Sequence, residues 1–148
     1  MRRITDQGFV VLAHFVQLGA HRTSASQVSE STGIPAATTA KVLKVLQRSG
    51  LLRSERGLHG GYELACDPDQ TTVLRVIEAF EGPIGMTECS LAGPIDCDTH
   101  DTCSLGHAWP AVNDAVLDAL RHVTLRDLVE RRSSARANRP AASPTPAG

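Results

Sequence analysis

At 148 residues, with 41% hydrophobic but only 3% aromatic side chains, the chain has room for one compact unit built on Leu, Val, Ala and Ile. That composition argues for a mainly helical protein and against two independent cores. The formal net charge of -1 conceals an asymmetry, because residues 1–66 carry eight basic and four acidic side chains while residues 67–148 carry seven and 12. A basic front half and an acidic back half point to a module that meets phosphate with one end only.

Behind Arg2 and Arg3, the apolar run over 9–16 has a secretory look, but Asp6, His14 and Gln17 break it up and no cleavage site follows. It reads as a first helix capped by Thr5, with Phe9, Leu12, Ala13 and Val16 inward and Gly19 at its end. Gly8 inside it costs about 1 kcal/mol of helix propensity relative to Ala. Ser24 and Gln27 form a capping box for a second helix over 25–32, and Gly33 supplies the turn. Pro35 opens a third helix over 36–49, with Val42, Leu43, Val45 and Leu46 inward until Gly50 stops it. Short helices joined by Gly33 and Ile34 make a helix-turn-helix.

Apolar segments over 51–54 and 62–65 flank the glycine-rich stretch Glu55, Arg56, Gly57, Leu58, His59, Gly60 and Gly61. A hairpin directly after a recognition helix is a wing. Thr72 caps a fourth helix with Val73, Val76, Ile77 and Phe80 inward, broken by Gly82 and Pro83. Residues 83–106 show no periodicity, and a structureless stretch of that length usually has a function or is held by something. Trp109, Val112, Val116, Leu120 and Val123 then recur at helical spacing, a narrow stripe suited to packing against a second copy of the chain. Thr124 caps a last turn, and from Ser133 onward Arg, Ala, Ser and Pro predict disorder.

The expected architecture is therefore mainly α with a small β-hairpin. It comprises a winged helix-turn-helix over 1–82, a cysteine-rich loop over 83–108, a long dimerisation helix over 109–131 and a disordered tail over 132–148. On the recognition helix Thr38, Thr39 and Lys41 are placed to meet base edges or phosphates in the major groove, with Lys44 nearer the backbone. On the wing, Arg56 at a tip shared with Gly57 and His59 is suited to a narrow minor groove. The partner so implied is double-stranded DNA. No phosphate loop, dinucleotide fingerprint or nucleophile motif asks for catalysis, and no segment has the length of a membrane span. A cytoplasmic protein with reduced thiols is expected.

Cys89, Cys97 and Cys103, followed by His107, are separated by seven, five and three residues. Zinc knuckles ordinarily use closer cysteine pairs, which disfavours zinc without excluding it. Thiolates in an irregular loop suit an iron-sulfur cluster, of the [2Fe-2S] or [4Fe-4S] type. Cys66, at the end of a wing strand, reads as a small buried residue.

Taken together, Thr5-Asp6, Gly33-Ile34-Pro35, Gly50-Leu51-Leu52, the run from Arg56 through Gly60-Gly61-Tyr62-Glu63-Leu64, Glu81-Gly82-Pro83, Cys89-Ser90-Leu91, Trp109 and Thr124-Leu125-Arg126-Asp127-Leu128 resemble the Rrf family of bacterial regulators. The likeness runs from about residue 1 to 130, and Met86 through Leu91 is most similar to regulators of SUF-type iron-sulfur assembly genes. The resemblance implies a homodimer on a palindromic operator, with Cys89, Cys97 and Cys103 as cluster ligands. For the fourth ligand it offers Asp6 from the partner subunit, the preferred residue, or His107. The signal it implies is cluster status, with nitric oxide or redox stress as alternatives.

Overall fold

The computed structural model describes residues 2–57, 60–87, 90, 97, 103–104 and 108–137. Among them the chain forms α1 (Arg3–Leu18), α2 (Ala25–Thr32), α3 (Ala36–Arg48), β1 (Leu52–Glu55), β2 (Gly61–Leu64), α4 (Val73–Glu81), α5 (Trp109–Arg121) and α6 (Leu125–Ala137). The expected order of helix-turn-helix and wing is thus present, with element ends shifted by a residue or so.

The core gathers around α1, which packs against α2, α3, α4 and α6. Val11, Leu12 and Phe15 of α1 are fully buried together with Val28 of α2 and Val42, Leu43 and Leu46 of α3. Each such large side chain withdrawn from water contributes about 1.5–3 kcal/mol. Val45 is only partly buried, because it lies at the edge of the helical stripe that Thr39, Val42, Leu43 and Leu46 define. Cys66 packs against this core but is only partly buried, short of the burial expected of it.

The start of α1 corrects the expectation that Thr5 caps it. The helix begins at Arg3, its N-cap Arg2 has no side-chain cap, and Thr5 is fully buried within the first turn. A carboxylate from the far end of α4 takes over the task. Glu81 Oε1 accepts from the Arg2 backbone N–H and from the Thr5 hydroxyl, both at 2.8 Å. The Arg2 N–H above all, and then the Thr5 hydroxyl, hold the Glu81 carboxyl below its usual range. The same seam explains Gly8, since a Cβ there would fall 2.4 Å from ring carbons of Phe80 on α4.

β1 and β2 pair antiparallel, with Leu52 opposite Leu64 and Arg53 opposite Glu63. Thr23, just before α2, adds a short third rung, exchanging backbone hydrogen bonds of 3.0 and 2.9 Å with Tyr62. Gly61 makes that rung possible. Its φ is 151°, and a Cβ would stand 2.8 Å from Thr23 O.

The segment expected as a dimerisation helix over 109–131 is two helices, divided at Thr124, the residue expected to cap its last turn. α5 ends at Arg121, and Thr124 starts α6 with a capping box in which its N–H and hydroxyl donate to Asp127 Oδ2 at 2.9 and 2.8 Å. The break is pinned to the chain before α4, because Val73 N–H donates to Val123 O and Leu125 N–H to Thr71 O, each at 2.8 Å. The α6 backbone stays helical to Ala137, beyond Ser133 where disorder was expected, since Arg and Ala are strong helix formers once a cap has started the turn. Residues 138–148 of the expected tail lie outside the described residues.

Candidate functional site

The helix-turn-helix is set by hydroxyls. Ser24 N–H donates to Gln27 Oε1 at 2.9 Å and Gln27 N–H returns to Ser24 Oγ at 3.3 Å, completing the capping box. Gly33 ends α2 with φ 70° and ψ 12°, left-handed geometry that costs glycine little. The carbonyl of Ile34 then accepts from Ser29 Oγ at 2.7 Å and from Thr39 Oγ1 at 3.1 Å, so one oxygen in the turn is held by both helices. This fixes the crossing of α2 and α3.

That arrangement corrects one expected contact. Thr39 is fully buried, and its hydroxyl is committed to the turn rather than offered to DNA. Thr38 is half-buried, whereas Lys41 and Lys44 are exposed. They share the outer face of α3 with exposed Ala36, Ala37 and Ala40, whose short side chains leave the helix backbone free to approach a groove closely.

The wing is braced by charges that pattern reading treated only as a sum. Arg22 reaches Glu55 with two nitrogens, Nη1 at 2.5 Å and Nη2 at 2.7 Å, and places Nε 3.2 Å from Glu63 Oε2. Arg53 Nε lies 2.5 Å from Glu63 Oε1. Glu63 is buried at 8% exposure, and the hydrogen bonds from Arg22 first and Arg53 second hold its carboxyl below the usual range. Two of the eight basic side chains of the front half are therefore spent on the scaffold. The alternation of Arg53, Glu55 and Glu63 on paired strands was the available signal. A further brace, missed from sequence, is Gln47 Nε2 donating to Ser54 Oγ at 2.7 Å, which ties the end of α3 to β1.

At the tip, Arg56 is exposed and takes part in no ion pair among the described residues. Gly57 has φ 118°, and Gly60 N–H donates to Gly57 O at 2.9 Å. A Cβ on Gly60 would lie 2.4 Å from Glu55 O, so the loop closes too tightly for any other residue. His59 lies outside the described residues.

Of the candidate cluster ligands, Cys97 and Cys103 are half-buried and carry thiols rather than a disulfide. Cys89 and His107 lie outside the described residues, as do the acidic Glu88, Asp96, Asp98 and Asp101. Asp6 is exposed in the first turn of α1 and makes no side-chain hydrogen bond or ion pair among the described residues. Those residues alone bring no three His, Cys, Asp or Glu side chains together as a metal site. The donors present, two thiols and an unengaged carboxylate, are nonetheless of the kind that holds iron. The start of the cysteine segment is anchored where Met86 N–H donates to Asn113 Oδ1 at 3.0 Å, Asn113 being the buried residue of α5.

The opposite side of α5 is open. Ala111, Val112, Ala115, Val116, Ala119 and Leu120 line an apolar groove, and Val112 is 45% exposed. Among the described residues no helix is long and apolar enough to cross a membrane.

Residues 1–131 match the family model Rrf2, described as an iron-dependent transcriptional regulator. The chain is 32% identical over 106 residues to protein aau3 of Rhizobium meliloti, covering 72% of this chain and 69% of that one. It is 27% identical over 134 residues to the HTH-type transcriptional regulator IscR of Pectobacterium atrosepticum, covering 88% and 80%. Its fold is similar to that of CymR, the global cysteine regulator of B. subtilis, with a TM-score of 0.68, 24% identity and coverage of 88% and 96%. Helix-turn-helix, braced wing and family match together make the chain a member of the Rrf2 family, a DNA-binding transcriptional regulator and not an enzyme.

Proposed function

We propose that the protein is a homodimeric regulator of SUF-type iron-sulfur assembly genes whose grip on a palindromic operator follows the state of an iron-sulfur cluster. Cys89, Cys97 and Cys103 would hold the cluster, with Asp6 of the partner subunit completing the set. His107 is the alternative fourth ligand. A bound cluster would supply the redox- and iron-sensitive chemistry; the chain's own residues couple its presence to DNA.

The observation that carries this reading is the Glu81 seam. α4 ends at Glu81 immediately before the cysteine segment, and Glu81 holds the first turn of α1, the turn that bears Asp6. α1 in turn packs against α3. A change in the segment is thereby joined through packed elements to the placement of the recognition helix. The open Val112, Val116 and Leu120 face of α5 supports a second copy of the chain as the partner that brings two recognition helices together.

On DNA, Thr38, Lys41 and Lys44 serve the major groove and its edges, and Arg56 with Gly57 and His59 serves the minor groove. The test is anaerobic purification of the full chain followed by ultraviolet-visible spectroscopy and iron and acid-labile sulfide analysis. Visible absorption that disappears in Cys97→Ala is the expected result. A colourless protein carrying zinc or no metal overturns the cluster assignment.

A further inference from the structure

Beside the recognition helix the first turns of α1 and α3 face each other across an open cleft of about 390 Å3, lined by Arg3, Ile4, Gln7, Pro35, Thr38 and Lys41. Two of the six lining side chains are cationic, two are neutral hydrogen-bonding groups, and none is acidic. Arg3 and Lys41 are both exposed, and neither takes part in an ion pair among the described residues. Asp6 and Glu81, the carboxylates near this start of α1, are not among the lining residues. The N-cap of α3, Pro35, brings no side-chain acceptor to the first-turn amides, so the positive end of α3 and two cations converge on one open space.

We propose that this cleft seats a phosphate of the DNA backbone, with Arg3 and Lys41 supplying charge and Gln7 and Thr38 supplying hydrogen bonds. The inference deepens the DNA-binding reading above and rests on it. Its new content is that α1, outside the helix-turn-helix and the wing, is a third contact with DNA. The position favours this ligand because one wall of the cleft is α3 itself. A helix lying in the major groove, about 12 Å wide, has sugar-phosphate backbone along its flanks. Exposed Ala36, Ala37 and Ala40 allow that close approach, and the cleft opens next to them on the same helix. A contact of this kind is indifferent to sequence and sets register on the duplex.

The test uses the full chain and sonicated genomic duplex of mixed sequence, with affinity measured across a range of salt. Arg3→Ala is expected to lower the slope of log affinity against log salt by about 0.9 for each phosphate lost. That corresponds to roughly eightfold weaker binding per contact near 0.1 M salt. Arg3→Lys should restore the slope, and Gln7→Ala should weaken binding without changing it. Circular dichroism checks that each variant stays folded, which the exposure of Arg3 predicts.

If the unaltered chain binds with a steep salt slope that Arg3→Ala leaves intact, the cleft assignment falls while the DNA-binding reading stands. Absence of salt-dependent binding by the unaltered chain overturns both. Inorganic phosphate, titrated at constant ionic strength, separates the two sources of this chemistry. Saturation of the cleft by it, with DNA slope unchanged in Arg3→Ala, would mark a free-anion site and overturn the proposal.

Discussion

Replacing Gly8 by Ala tests the seam that joins α1 to α4. In an unobstructed helix the change is favourable by about 1 kcal/mol, because alanine loses less backbone entropy on folding. Here the added Cβ would stand 2.4 Å from two ring carbons of Phe80 and 3.2 Å from a third, against an ordinary carbon-carbon contact of about 3.5–4.0 Å. The ring must retreat by roughly 1 Å, and overpacking of that kind costs about 1–3 kcal/mol. We expect Gly8→Ala to be neutral to destabilising by about 2 kcal/mol, with the propensity gain hidden. A double-mutant cycle exposes it. In a Phe80→Ala background, itself about 3 kcal/mol less stable, the obstruction is gone and Gly8→Ala should stabilise by about 1 kcal/mol. Urea denaturation of the four proteins gives the coupling directly. If Gly8→Ala stabilises equally with and without the Phe80 ring, the close approach of α1 and α4 is not what the glycine serves, and the argument for a rigid Glu81 seam weakens with it.

Arg56→Ala, at an exposed tip with no ion pair to lose among the described residues, should leave thermal stability unchanged and lower operator affinity together with the salt slope; unchanged affinity and slope would remove the wing tip from the interface. Thr39→Val should cost about 1 kcal/mol in urea denaturation, since one of two hydroxyls on the Ile34 carbonyl is lost, while the affinity for DNA at fixed salt stays as it was. A stably folded variant with weakened DNA binding would return Thr39 to the interface. The depressed Glu63 and Glu81 carboxyls contribute stability that is fully present above the ordinary Glu value of about 4.3 and lost as pH falls through their lower folded-state values. Glu63→Gln should therefore be less stable than the parent at neutral pH and converge with it in acid, as followed by thermal melts from pH 7 downward; a constant gap across that range would refute the role of its charge.

Local patterns carried the DNA-binding half, because the devices that build it act over a few residues. The capping box of Ser24 and Gln27, the left-handed turn at Gly33 and the glycine-bounded hairpin are each fixed by bonds between near neighbours, and their order names the fold. The basic front half and the three-cysteine segment were equally plain in composition and spacing. Tertiary structure decided what neighbours in sequence cannot. Thr5 and Thr39 have the chemistry of a cap and of a DNA contact, yet burial turns one toward Glu81, 76 residues away, and the other toward its own turn. Arg22 and Arg53 count as cations in any sum, but Glu63 draws both onto the wing scaffold. The charge left for phosphate is set by three-dimensional pairing rather than by composition. For the same reason Arg3 and Lys41, 38 positions apart, become neighbours around one cleft only once α1 and α3 have packed.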